Sequence, residues 1–218
     1  MSPRILTALM IGVACLCSST SFAAHINDPA NDFLPSYTGP HNADLDVLEA
    51  EVFLEGSSLR FTSLSAAAIG TTSGGVFVWG IDRGAGFATF PVIAPGVTFD
   101  AVAVLVPGGS SFVRDLATNV DTPISNVSFS GADLSAVVPL SAFPSLGAAP
   151  SQYTVNLWPR SELSFTDDVI SDFAPDNSNA AVTVMATVPE PTSLALLGAV
   201  ALALLWVGLG LRQSSVVG

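Results

Sequence analysis

Apolar and polar residues alternate over 47–54, with Leu48, Ala50, Val52 and Leu54 on one face and Glu49, Glu51 and Phe53 on the other. A period of two predicts a half-buried β-strand. Glu55-Gly56-Ser57-Ser58 predicts a tight turn, and 59–64 returns as a second strand to complete a hairpin. The run Val-Phe-Val-Trp-Gly-Ile over 76–81 is β-rich and continuous; 82–86 turns the chain, and 87–90 is placed to pair back. Strands over 97–106 and 111–116 flank Pro107-Gly108-Gly109, and further strands are predicted over 127–129, 134–140, 153–158 and 180–186. Helical patterning is confined to the alanine-rich 63–70, where Gly70, Gly74 and Gly75 follow too soon for a long helix. About nine or ten short strands separated by Gly, Pro, Asn and Ser predict an all-β fold, an antiparallel β-sandwich or jelly roll, as one domain over 24–187.

Two apolar runs depart from this rhythm. In the first, Arg4 precedes an apolar stretch over 5–17 and the small-x-small sequence Ser21-Phe22-Ala23, which reads as a secretory signal peptide over 1–23 cleaved between Ala23 and Ala24. Neither Cys15 nor Cys17 has the leucine and small-residue context of a lipoprotein cysteine. The second run, over 193–211, contains no charge and ends at Arg212. At about 1.5 Å per residue it reaches about 28 Å as a helix, close to the thickness of a bilayer core, so it reads as a transmembrane helix with Arg212 at the cytoplasmic end.

Just before that run stand Pro189-Glu190-Pro191 and Thr192-Ser193. Tripeptide, leucine-rich span and terminal arginine together resemble the PEP-CTERM sorting signal of Gram-negative bacteria that make exopolysaccharide. The resemblance covers about the last thirty residues, 188–218. It implies that the tripeptide is read by an exosortase-type transpeptidase in the membrane, which removes the tail. The family usually ends in a cluster of arginines, whereas here Arg212 stands alone before Gln213. The two prolines remove backbone donors and hold Glu190 extended, which suits a processing enzyme.

Composition narrows the chemistry. Eighteen acidic residues against six basic ones give a formal net charge of −12, and lysine is absent, so no basic patch for nucleic acid can be assembled. The only cysteines, Cys15 and Cys17, fall in the signal peptide, so the mature domain has to be stable on its core alone. The common hydrolase and nucleotide motifs are missing, and the two histidines, His25 and His41, lie near the mature N-terminus and in a polar loop. The expectation is a protein that is not an enzyme, although spacing alone does not settle whether two carboxylates face each other as in glycoside hydrolysis.

Two acidic stretches carry oxygen ligands, one with Asp28 and Asp32 before the first strand and one with Asp172 and Asp176 before the last. Their plainer reading is turn chemistry at strand ends; their chemical reading is a Ca²⁺ site. Tyr37, Trp79 and Trp158 could stack on sugar rings if they share a face, but Trp79 and Trp158 sit in the most apolar strands, where aromatic rings usually serve the core. The acidic start, Asp44-Leu45-Asp46-Val47 and Asn156-Leu157-Trp158-Pro159-Arg160 are loosely similar to secreted sandwich domains of the DOMON and carbohydrate-binding type. The sequence as a whole predicts an exported structural or adhesive protein, membrane-anchored and then associated with the cell surface or extracellular polysaccharide. The alternatives are a carbohydrate-binding module, with or without dependence on Ca²⁺, and after it an enzyme acting on polysaccharide.

Overall fold

The computed structural model describes residues 25–164 and 166–185. The signal peptide with Ala23 and Ala24, the motif Pro189-Glu190-Pro191 and the apolar span 193–211 lie outside the described residues.

Strands come in the order β1 (Ile26–Asn27), β2 (Val47–Glu55), β3 (Ser58–Ser65), β4 (Val76–Asp82) and β5 (Phe87–Ala88). There follow β6 (Thr98–Phe99), β7 (Ala101–Leu105), β8 (Ser111–Asp115), β9 (Val120–Ile124) and β10 (Val127–Ser130). The last are β11 (Asp133–Pro139), β12 (Thr154–Arg160), β13 (Ala180–Ala181) and β14 (Thr183–Val184). Helical structure among the described residues is limited to four 3-10 turns, and no helix there is long and apolar enough to cross a membrane.

The fold is all-β. One six-stranded sheet has the order β1-β2-β3-β11-β10, with β14 beside β2; the other runs β13-β12-β4-β7-β8-β9. Every pairing is antiparallel except β14 with β2. Alternate side chains of the two sheets meet in one core: Val52, Phe61 and Ala136 from the first, and Phe77, Trp79, Ile81, Ala103 and Leu157 from the second. Strand β3 alternates half-buried and buried along its length, as a sheet with one wet face should. Strand β4 is buried at six consecutive positions because its outer face is also covered. Val76 and Val78 there join Phe90, Val97, Phe99, Trp158, Ile170 and Phe173 in a second apolar cluster. Segments 90–99 and 170–173 form this cover, which explains the unbroken apolar run at 76–81.

The predicted β2–β3 hairpin is present, closed by Gly56 and Ser57 with Gly56 at φ +57°. Its start differs from simple alternation. Val47 pairs with Ser65 and Glu49 with Leu64, so Leu48 is the extra residue of a β-bulge, and Val47 rather than Leu48 points into the core. The predicted strand 97–106 divides at Asp100, whose carboxylate binds Arg83, and its first part pairs with β5 instead of β5 returning to β4. The predicted last strand also divides: β13 joins β12 in one sheet, and β14 joins β2 in the other, with Val182 buried between. The alanine-rich stretch 63–70 continues β3 to Ser65 and then turns without forming a helix.

Candidate functional site

The bulge at the head of β2 leaves backbone groups that the regular ladder does not use, and acidic residues gather around them. Asp172 Oδ2 accepts from Val47 N at 3.1 Å, and Asp28 N donates to Leu48 O at 2.9 Å, extending the β1–β2 pairing. Segment 170–174 runs beside β12, and the Ser171 hydroxyl donates to Leu45 O at 2.8 Å, so this segment ties the second sheet to the first. Asn31 adopts φ 64°, a left-handed conformation that asparagine tolerates, and its N–H donates to Asp46 Oδ2 at 2.9 Å.

This folding brings one carboxylate oxygen from each of Asp28, Asp32 and Asp172 within 4.8 Å of the others. Asp46 is 1% exposed, and its Oδ1 is buried without a hydrogen-bond donor; so are Asp28 Oδ2 and Asp32 Oδ1. Burial, reinforced by the neighbouring Asp172 and Asp32 charges, pushes the Asp28 carboxyl up to about 9. Asp172 is pushed up to about 7, chiefly by burial, and the two groups share protons. Burial also raises Asp32 and Asp46. Asp176 is exposed at the rim, close enough for its charge to act on Asp28 and Asp32.

Such a set has two ways to relieve its charge: it can hold protons, or it can hold a hard cation. Oxygens on opposite sides of a Ca²⁺ at about 2.3–2.6 Å each are about 4.6–5.2 Å apart, so the three carboxylates are spaced to share one ion. The buried, donorless oxygens are what a cation would satisfy.

A second feature lies on the outer face of the second sheet. Val78, Val104, Phe112, Phe99 and Trp158 line a cavity of about 700 Å³, whose wall also includes Leu163, Ser164 and Asp167. Two arginines reach it. Arg114 makes a forked pair with Asp121 on β9, at 2.7 and 2.6 Å, with its guanidinium 5.5 Å from the centre of the Phe112 ring. Arg160 is 8% exposed; its Nη2 donates to Thr166 O, and its Nε has no acceptor. Burial lowers its pKa, opposed by the more distant charges of Asp167, Asp168 and Glu162.

The three aromatic residues singled out for sugar stacking lie in three different surroundings. Trp79 is fully buried between the sheets, 5.4 Å from the Phe61 ring, because its position in β4 faces the core; it has no free face for a ligand. Tyr37 is buried, donates its hydroxyl to Pro40 O, and stacks with Phe33 and His41. Trp158 borders the cavity but is 2% exposed, packed against Phe90, Phe99 and Phe173. His25 binds Glu51 at 2.9 Å on the surface.

Sequence reasoning did not single out Asp46 or Arg160 as site residues. Both belong to the acidic and arginine-ended stretches quoted above, but their burial follows from the bulge and the cover, which no local pattern shows. No family model matches the chain, no curated protein matches it, and no solved structure matches it.

Proposed function

We propose that the chain is an exported β-sandwich protein of the cell surface or extracellular polysaccharide matrix. An N-terminal signal peptide delivers it, an exosortase-type enzyme sorts it through the PEP-CTERM-like tail, and its role is structural or adhesive. The observation that carries this reading is the order Pro189-Glu190-Pro191, uncharged span 193–211 and Arg212. A cysteine-free domain with a continuous two-sheet core supports it, since such a domain withstands an extracellular setting without disulfides. We add a Ca²⁺ ion at Asp28, Asp32 and Asp172; the buried, donorless Asp28 Oδ2 and Asp32 Oδ1 favour an ion over simple turn chemistry. The dispersed rings of Tyr37, Trp79 and Trp158 offer no flat platform, which ranks the carbohydrate-binding reading behind the structural one.

The sorting claim is tested by fractionation. Replacing Pro189, Glu190 and Pro191 with alanine leaves the apolar span untouched, so the full-length protein should insert and then stay trapped in the inner membrane. Leu202→Arg with Leu205→Asp should weaken insertion itself, at about 2.5 to 3.5 kcal/mol per charge near the helix centre. An alanine variant that is processed and exported like the parent would mean the tail is only an anchor.

A further inference from the structure

Among the described arginines, Arg60, Arg83 and Arg114 each hold a carboxylate at ion-pairing distance. Arg160 holds none. It sits nine-tenths buried in the wall of an apolar cavity, with one donor spent on a backbone carbonyl and its Nε without an acceptor. An isolated buried cation is expensive, and in a chain of net charge −12 there is no shortage of carboxylates that could have been placed beside it. Asp167 lines the same cavity without reaching pairing distance. The cavity volume, about 700 Å³, lies in the range of small-molecule sites, and its walls are mostly aliphatic and aromatic, with Arg114, Arg160 and Asp167 the charged residues among them.

We infer that this cavity binds a small free amphiphile with an apolar body and a single anionic head group, a medium-chain carboxylate being the simplest case, with Arg160 as the head-group ligand. The apolar body lies against Val104, Phe112, Phe99 and Trp158, and the carboxylate completes the guanidinium's hydrogen bonding. Arg114 is committed to Asp121 and lends only its field. Asp167 opposes the ligand's charge and so limits affinity.

The test is titration calorimetry of decanoate, decanol and decyltrimethylammonium into the full chain in phosphatidylcholine nanodiscs, with empty nanodiscs as the blank. Decanoate should bind about tenfold or more tighter than the other two, the worth of one charge-assisted contact. Arg160→Gln should remove that preference, whereas Asp167→Asn, at a carboxylate that makes no hydrogen bond among the described residues, should strengthen decanoate binding. Equal affinity for decanol, no binding of any probe, or no change in either folded variant would overturn the inference. Tighter binding of glucuronate would make this an acidic-sugar site instead, and loss of decanoate binding in phosphatidylglycerol discs would give the site to membrane lipid; either result overturns it.

Discussion

Arg83 Nε lies 2.6 Å from Asp100 Oδ1, and the guanidinium it belongs to is wholly buried. Its other donors go to Asp115 Oδ2 at 2.8 Å, Pro144 O at 3.0 Å and Asp100 O at 3.1 Å. Asp100 also takes the backbone N–H groups of Arg83 and Ala85. One arginine thus fixes the end of β4, the break between β6 and β7, the end of β8 and the 144–148 loop.

Arg83→Met should therefore destabilise the domain by about 3–5 kcal/mol, because it strands Asp100 in the interior without its counter-ion. Urea denaturation measures this, and a loss below about 1 kcal/mol would contradict the assignment. Added salt should change the difference between parent and variant little, since this pair is shielded from solvent.

The acidic cluster predicts a pH dependence of stability. Asp28 and Asp172 have folded-state values raised to about 9 and about 7 from the ordinary 3.8, so the ion-free fold holds more protons than the unfolded chain between those limits. Stability is then greatest below about pH 4 as far as these two groups are concerned, and it falls as pH rises through 7 and 9. Melting temperature without Ca²⁺ should drop from pH 5 to pH 9, and millimolar Ca²⁺ should suppress the drop and release protons. Asp28→Asn should raise the Ca²⁺-free melting temperature at pH 8 and lose the Ca²⁺ response; an identical curve with ion and with chelator would sink the site.

At Gly80 a Cβ would stand 2.5 Å from two ring carbons of Trp158, so the outer face of β4 has no room for a side chain there. Gly80→Ala should cost about 1–3 kcal/mol by displacing Trp158. Chemical denaturation checks the magnitude, and a neutral result would mean that the ring is free to move aside.

With the signal peptide removed as proposed, reducing agent should leave the melting temperature unchanged, because both cysteines precede Ala24. A large fall would show that Cys15 and Cys17 remain in the mature chain and are bonded.

Local pattern carried the hairpin of β2 and β3, because alternation and a glycine turn are both short-range signals. The edge strand β9 was not legible. Its residues are almost all exposed and include Pro123, so it lacks an apolar period and carries a strand breaker that an edge position tolerates. The division of 180–186 between two sheets was equally hidden, since partner choice depends on where β2 and β12 lie. At the site, the type and location of Asp28, Asp32 and Asp172 could be read because paired acids before strands suggest oxygen ligands. The inward turn of Asp46 could not, since it depends on the bulge at Leu48, two residues on. Trp79 and Trp158 show the same limit: both lie in apolar strands, and only the covered outer face of the second sheet distinguishes their surroundings.

The chain's last described strands have a mechanical consequence. Ala180 and Ala181 are bonded to β12, Thr183 and Val184 to β2, and Met185 N reaches Leu54 O at 3.2 Å, all within six residues of the point where the chain continues past 185. Tension applied to a tether beyond Met185 would be shared between both layers of the domain from the outset. Peeling this strand away requires rupture in two sheets and withdrawal of Val182 from between them, so the exit acts as a strain relief, like the clamp where a cable leaves its housing.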